Sequence, residues 1–203
     1  MGRACEVQGK TDVAFAAYAK AAEVAPDKTA AWFSMGNIQM SSEQYAEAIT
    51  SFTAGLRRTQ DNADAWDNLA LASYYTGRYQ ESIDAYTKAL ELRPDDAVAW
   101  ASLGLTYYTM GNYDKAVEAS EKAVAIKPDE LWVQVNLALA SVLTKDLSKA
   151  AAAFDSVMSL ATSPGDLMHP IANLKEMVAR DPSIGQAREI LTKLEDAWRR
   201  LKG

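Results

Sequence analysis

The chain has 203 residues, and its content of 49% hydrophobic and 24% charged residues is that of a folded globular protein rather than a disordered one. Its 21 Lys and Arg against 27 Asp and Glu leave a net charge of −6, which argues against nucleic acid as a partner because phosphate backbones attract basic surfaces. The single cysteine, Cys5, and the single histidine, His169, exclude an internal disulfide and a zinc site built from these two residue types.

Sequence signals for membrane insertion, export or catalysis are missing. No stretch approaches the ~20 apolar residues of a membrane span, and Met1 to Lys10 contain no apolar signal-peptide core. The sequence also lacks a glycine-rich phosphate loop, a G-x-S-x-G elbow and an H-E-x-x-H zinc motif. We therefore expect a cytoplasmic, non-enzymatic protein that uses no cofactor or metal and contacts no membrane.

Self-similarity at a fixed period is the main feature of the chain. Trp32, Trp66 and Trp100 follow one another at intervals of 34 residues. Alignment on these tryptophans brings further columns into register, among them Met35, Leu69 and Leu103; Gly36, Ala70 and Gly104; Tyr45, Tyr79 and Tyr113; and Ala48, Ser82 and Ala116. Such a period predicts similar units that stack to complete one continuous core.

The predicted units can be given in chain order. They are a partial repeat over 1–28, full repeats over 29–62, 63–96 and 97–130, a degenerate repeat over 131–164, and C-terminal capping helices over 165–203. The degenerate unit is recognised by its other columns, since it has Trp132 two positions before the tryptophan column.

Each full unit is predicted to contain two helices of about a dozen residues, because its apolar positions recur at steps of three and four. Asn62 caps a first helix, Gly77 lies at the turn between helices, and Pro94 ends a second helix. The small residues Gly104 and Ala116 are expected where two helices lie closest, since larger side chains would push the helix axes apart.

The stretch from Ala63 to Pro94 closely resembles the tetratricopeptide repeat, and the stretch from Ala97 to Pro128 resembles it equally. The resemblance covers residues 1–164. It implies an all-α fold, a right-handed superhelical solenoid of stacked antiparallel helix pairs. It also implies a non-catalytic scaffold or adaptor that binds other proteins.

In this family the first helices of successive units line a concave groove, and the resemblance implies that role for certain positions here. The predicted groove residues are Phe33, Asn37, Met40, Asp64, Asp67, Asn68, Leu71, Tyr74, Tyr75, Ser102, Leu105, Tyr108 and Asn136. This set contains no Lys or Arg, so we expect an apolar, aromatic groove with an acidic spot at Asp64 and Asp67. The predicted partner is another protein, presenting a peptide or amphipathic helix with apolar anchors and a basic residue.

One use of the family, the gripping of a C-terminal carboxylate, is not supported by these residues. Asn37 and Asn68 match the asparagines of that clamp, but Phe33, Val98 and Ser102 stand where its Lys and Arg should be. A buried carboxylate needs charge-assisted donors to offset its lost hydration, and the predicted groove offers none.

The last helix has two interpretations that the sequence leaves open. Its apolar stripe comprises Ile184, Ala187, Leu191, Leu194, Trp198 and Leu201. As a cap, the C-terminal helices would cover the nearest inner-face side chains, which are Trp132, Leu139, Val142 and Leu143. Alternatively, Leu191, Leu194, Trp198 and Leu201 join a second copy, so that the protein is a self-assembling structural protein that oligomerises through this helix or the repeat ends.

Overall fold

The computed structural model describes residues 11–181 and 185–203, and within these ranges it contains helices and no strand. Cys5 and the first ten residues of the predicted partial repeat lie outside the described residues, as does Ile184. The described helices are α1 (Thr11–Val24), α2 (Thr29–Ser41), α3 (Tyr45–Leu56), α4 (Ala63–Tyr75), α5 (Tyr79–Leu92), α6 (Ala97–Thr109), α7 (Tyr113–Ile126), α8 (Leu131–Leu143), α9 (Leu147–Leu160), α10 (Pro164–Arg180) and α11 (Gly185–Lys202). The predicted all-α class is confirmed, whereas the handedness of the superhelix stays a prediction.

The chain divides into two compact units, which we call the N-terminal unit (Met1–Asp95) and the C-terminal unit (Asp96–Gly203). In the N-terminal unit each helix from α1 to α5 packs against the next, and α2 also contacts α4. In the C-terminal unit α6 to α9 pack in the same successive way, and α6 also contacts α8. The first helices of neighbouring repeats therefore lie side by side within each unit, as the inner face of a repeat array requires.

The turn between the two helices of a repeat has one residue with a left-handed backbone, and these residues recur at the 34-residue period. Two of them are glycines, Gly77 and Gly111, with φ of 74° and 78°. The other two are Glu43 and Lys145, with φ of 58° and 62°. Because a Cβ atom disfavours this conformation, the residue type marks the turn at Gly77, whereas only the repeat period marks it at Glu43 and Lys145.

The indole of the repeated tryptophan makes the same hydrogen bond in two repeats. Trp32 and Trp66 each donate from Nε1 to the backbone carbonyl six residues earlier, at 3.1 and 2.9 Å. In the degenerate repeat this position is Gln134, whose Nε2 donates to the Pro128 carbonyl at 2.9 Å. The true counterpart of the tryptophan column is therefore Gln134, and Trp132 occupies a different, solvent-exposed position.

Close helix packing depends on residues without bulky side chains, as the sequence predicts. In the N-terminal unit the Phe52 ring lies directly over Gly36, where an added Cβ would come within 2.7 Å of the ring. In the C-terminal unit a Cβ on Gly104 would lie 2.8 Å from Ser120 Oγ and 3.3 Å from the Ala116 carbonyl oxygen. These positions let two helices approach more closely than a methyl group would allow.

The last two helices form part of the core of the C-terminal unit. Helix α10 packs against α8 and α11, and α11 also packs against α9. Leu167 and Leu174 on α10 and Leu194 on α11 are fully buried, in one cluster with Phe154 of α9 and Val142 of α8. The C-terminal helices therefore cover one end of this unit's repeats, as the capping interpretation requires.

Candidate functional site

The inner face of the N-terminal unit comprises the predicted groove residues on α2 and α4, and several of them are engaged in packing. Phe33 and Met40 are half-buried against the hydrophobic cluster of this unit. The Phe33 ring lies directly over Gly55 of α3, so it fills the interior of its own hairpin. Leu71 is also half-buried. These apolar side chains offer little free surface.

The polar residues of this face contact one another. Asn68 Nδ2 on α4 donates to Asn37 Oδ1 on α2 at 3.2 Å, which links the first helices of two repeats. Asp64 accepts a 2.7 Å hydrogen bond from the guanidinium of Arg93, and Asp67 is half-buried. The predicted acidic spot is therefore compensated at Asp64 by a cation from the same unit. Arg93 follows α5, outside the inner-face positions, so the repeat pattern gives no signal for this pair.

Four tyrosines form a connected aromatic group at the α4 end of the face. Tyr75 stacks on Tyr45, with ring centroids 4.6 Å apart. Tyr74 lies edge-on to Tyr75 at 5.8 Å and contacts Tyr79 at 5.7 Å. Edge-to-face and offset contacts in this range are favourable, so these rings stabilise the unit. Tyr75 nevertheless remains 56% exposed and keeps free ring surface on this face.

The inner face of the C-terminal unit differs in composition. Neither Ala97–Thr109 nor Leu131–Leu143 contains a charged residue. Yet Val98 remains 47% exposed, Leu105 37% and Trp132 39%. Val98 and Leu105 lie two turns apart on one side of α6, and Trp132 on α8 is at the repeat position of Val98. Together these three side chains form an uncharged apolar patch, which we call the α6–α8 patch.

The polar residues beside the patch lack the partners found in the N-terminal unit. Ser102 and Asn136 occupy the repeat position of Asn68. The Nδ2 atom of Asn136 is buried and makes no hydrogen bond within the described residues. The position that corresponds to Asn37 is here Leu105, which has no side-chain acceptor.

Tyr108, the last predicted groove residue of α6, is half-buried near α10. Its ring lies edge-on to Tyr113, with centroids 5.8 Å apart. Burial raises the pKa of Tyr108, and the nearby Tyr113 and Glu176 raise it further. The phenol is therefore neutral, and a hydrogen-bond donor, throughout the physiological pH range.

The C-terminal helices bury some, but not all, of the four α8 side chains that they are predicted to cover. Leu139 and Val142 are buried in the cluster that includes α10 residues, and Leu143 is partly buried. Trp132 is not covered, because it is 39% exposed. The interpretation was therefore right for the end of α8 and wrong for its beginning.

The residues predicted for self-association have different environments on α11. Leu194 is fully buried in the core of the C-terminal unit, so it is not accessible to a second copy in this structure. Leu191 and Trp198 are half-buried, and Leu201 is exposed. The stripe buried by the chain itself consists of Ala187, Ile190, Leu194 and Ala197. The buried face is wider than the predicted stripe, since Leu191 and Trp198 are partly buried against the same core, and α11 contacts two helices, α9 and α10.

The described part of the chain shows neither a metal-binding cluster nor a membrane-spanning helix. Across residues 11–181 and 185–203, no cluster of three His, Cys, Asp or Glu side chains has metal-binding geometry. His169 is exposed at the surface near Asn173. Within the same ranges, no helix combines the length and apolarity required to cross a bilayer.

Comparisons with known proteins give a consistent assignment. Three tetratricopeptide repeat models match residues 8–72, 61–129 and 102–166. A solved structure of MamA is 28% identical, with a TM-score of 0.76 over 79% of this chain and 94% of that one. MamA from Desulfovibrio magneticus RS-1 is 24% identical, with a TM-score of 0.73 over 78% of this chain and 90% of that one.

A third solved structure is YrrB, described as a tetratricopeptide protein with an unusual peptide-binding site. It is 21% identical, with a TM-score of 0.73 over 78% of this chain and 82% of that one. Among curated protein sequences no significant match is found. The three repeat models together span most of the helices described above. The chain belongs to the tetratricopeptide repeat family.

Proposed function

We propose that this protein is a non-catalytic interaction scaffold whose α6–α8 patch binds an apolar peptide or amphipathic helix of another protein. The observation that carries the proposal is the exposure of Val98, Leu105 and Trp132 on two helices that contain no charged residue. Exposed apolar side chains grouped on one face are typical of interaction sites.

The energetics favour an apolar occupant. Removing the remaining exposed surface of each patch side chain from water contributes roughly 1 kcal/mol, and tryptophan is a frequent anchor at interfaces. A charged side chain placed between α6 and α8 would lose hydration, and the two helices themselves supply no charge to pair with it; the nearest acidic residues along the chain, Asp96 and Glu130, lie just before them. The partner segment should therefore present uncharged apolar anchors, spaced as on one face of a helix.

The family assignment supports a role in protein binding, and YrrB is a protein of the same fold described as having a peptide-binding site. The basic residue predicted for the partner would contact Asp64 or Asp67, and both lie in the N-terminal unit. There it would have to compete with Arg93, which lies 2.7 Å from Asp64. We therefore assign the apolar anchors to the C-terminal unit and treat the basic residue as a secondary contact.

The proposal is tested with peptides selected against the wild-type protein from a random display library. Leu105→Glu places a carboxylate in the patch, and we expect it to weaken the selected peptides at least tenfold in a fluorescence titration. Ile126→Glu is the matched control, because Ile126 is 38% exposed but lies on α7, the second helix of the same repeat. Equal affinities for both variants, with unchanged circular dichroism, would refute the proposal.

Self-assembly is a second candidate, favoured by one observation on the C-terminal helices. A groove of about 420 Å³ between α10 and α11 is lined by Met168, Ile171, Ala172 and Trp198 together with the charged Lys175, Glu195 and Arg199, and Met168 is 62% exposed. If a second copy occupies this groove, sedimentation velocity should show a concentration-dependent dimer that Met168→Glu abolishes. A monomer at all concentrations would exclude this candidate and leave the first one unaffected.

A further inference from the structure

A cavity of about 380 Å³ lies in the C-terminal unit, where α6 and α8 end against α10. Its lining includes Tyr108, Tyr113, Val142, Leu143 and Met177. Two aromatic rings, a thioether and branched aliphatic groups thus line one recess. Its volume lies within the range of cavities that bind small ligands or single side chains.

The charged groups around the cavity balance one another. Lys145 Nζ lies 3.9 Å from Asp181 Oδ2, and the guanidinium of Arg180 lies 2.5 Å from Glu176 Oε1. Two cations and two carboxylates leave no net charge at the cavity. A ligand group therefore gains little from a formal charge there, and a charged group that entered would lose its hydration.

Lys145 contributes to this arrangement from the turn after α8. Its φ of 62° is the conformation that Gly77 and Gly111 adopt at the same repeat position. The chain thus has a long side chain at a backbone position that glycine adopts more readily. That side chain pairs with Asp181, which follows α10, and so joins two walls of the cavity.

We propose that this cavity binds an uncharged aromatic side chain of the partner segment. Aromatic rings favour edge-to-face contacts such as Tyr108 and Tyr113 offer, and the Met177 sulfur adds a favourable thioether contact. Tyr108 is one helical turn after Leu105, so a bound segment can place one anchor on the α6–α8 patch and an aromatic residue in the cavity. The inference rests on the proposed function for its occupant, but the cavity can be tested without the partner.

The probe is N-acetyl-L-tryptophanamide, compared with N-acetyl-L-leucinamide, in the full-length protein labelled with ¹³C on methionine methyl groups. The Met177 resonance is assigned with Met177→Leu, and Met35 of the N-terminal unit serves as the reference. We expect saturable shifts of Met177 at millimolar tryptophan probe, with at least fivefold weaker binding of the leucine probe. No Met177 shift, or equal affinity for both probes, would overturn the inference.

Two substitutions locate the binding. Thr109 is exposed and lines the cavity, so Thr109→Trp fills it without altering the core. Ser41→Trp is the matched control at the same repeat position of the N-terminal unit, where the hydroxyl also donates to a carbonyl of its own helix. We expect at least fivefold weaker probe binding with Thr109→Trp and none of this loss with Ser41→Trp. Equal affinity for the two variants would place the probe elsewhere and refute the inference.

A measurement on the wild type needs no variant. Intermolecular nuclear Overhauser effects should connect the probe indole with the Met177 methyl group, and effects only to other methionines would refute the inference. The two proposals fail separately. If Leu105→Glu loses peptide binding but the wild-type protein does not bind the probe, only the cavity proposal is contradicted. If the wild-type protein binds the probe but Leu105→Glu binds peptides normally, only the proposed function is contradicted.

Discussion

The inner faces of the two units are built from the same repeat but differ in charge and in how their polar side chains are paired. In the N-terminal unit Asn68 bonds to Asn37, Asp64 pairs with Arg93, and the tyrosines contact one another. In the C-terminal unit the corresponding helices contain no charge, and Asn136 Nδ2 has no hydrogen-bond partner within the described residues. In the N-terminal unit these polar side chains are thus paired within the chain, whereas the C-terminal unit exposes uncharged apolar side chains that are able to gain contacts from a partner.

The difference comes from single positions rather than from the backbone. The repeat position of Asn37 becomes Leu105, so the acceptor for the next asparagine is replaced by an exposed apolar side chain. The repeat position of Asp64 becomes Val98 and then Trp132. Substitutions at such positions change what the face binds while the helices that carry it stay in place.

The largest expected effect concerns the helix that covers one end of the C-terminal unit. Leu174→Ala removes a fully buried side chain of α10 and should lower the free energy of unfolding by about 3 kcal/mol. Urea denaturation measures the loss, and amide hydrogen exchange locates it. Protection should fall in α8, α10 and α11, with residues 11–95 as the internal control. An equal fall in that range would mean that α10 does not belong to the C-terminal unit alone.

Substitution of one inner-face asparagine in each unit should change the free energy of unfolding in opposite directions. Asn68→Leu removes the hydrogen bond to Asn37 and should destabilise the protein by about 1 kcal/mol. Asn136→Leu removes a buried amide with no described hydrogen-bond partner and should stabilise it by about the same amount. Both are measured by urea denaturation at pH 7. The same sign for both substitutions would contradict the contrast drawn between the two faces.

A smaller effect is expected at the two turns without glycine. Glu43→Gly relieves a left-handed backbone and should raise the free energy of unfolding by about 0.5 kcal/mol, after the entropic cost of glycine in the unfolded chain. Lys145→Gly should raise it less, because it also removes the exposed ion pair with Asp181. Thermal denaturation of both variants checks the order, and an equal or larger gain at Lys145 would contradict a stabilising contribution from the ion pair.

The smallest effect is the pH dependence of the start of α10. Backbone N–H groups of Thr162 and Ser163 donate to Asp166 and lower the pKa of its carboxyl. The stabilisation is therefore present above the unfolded pKa near 4 and is lost as the pH falls through the folded pKa. Asp166→Asn should be less stable than the wild type at pH 7 but not at pH 2. A constant difference between the two proteins would contradict this assignment.

The repeat period predicted much of the fold because it depends on local spacing. Gly104 and Gly77 mark a close packing position and a turn that the structure confirms. The period places Gln134 in the tryptophan column but does not reveal that its amide makes the hydrogen bond of the indole, because the two side chains differ in shape. Nor does it reveal the pair of Asp64 and Arg93, because that contact joins positions 29 residues apart through side-chain geometry.

The candidate site was predictable only in outline. Spacing shows which residues lie on the inner face, but the exposure of each depends on what the rest of the chain places over it. Phe33 lies over Gly55, and α10 buries Val142 but leaves Trp132 open. Helix α10 packs on α8 but is not part of the repeat. The repeat period therefore cannot predict which residues of α8 it buries.

The most direct test of the central claim is photo-crosslinking of a selected peptide to the protein. A photoreactive benzoyl-phenylalanine is placed at Trp132 in one preparation and at Ile126 in another, and the crosslinked product is quantified by mass spectrometry. Binding on the uncharged inner face of the C-terminal unit predicts a product from position 132 and none from position 126. A product from position 126 alone, or from neither position while the peptide still binds, would contradict the account.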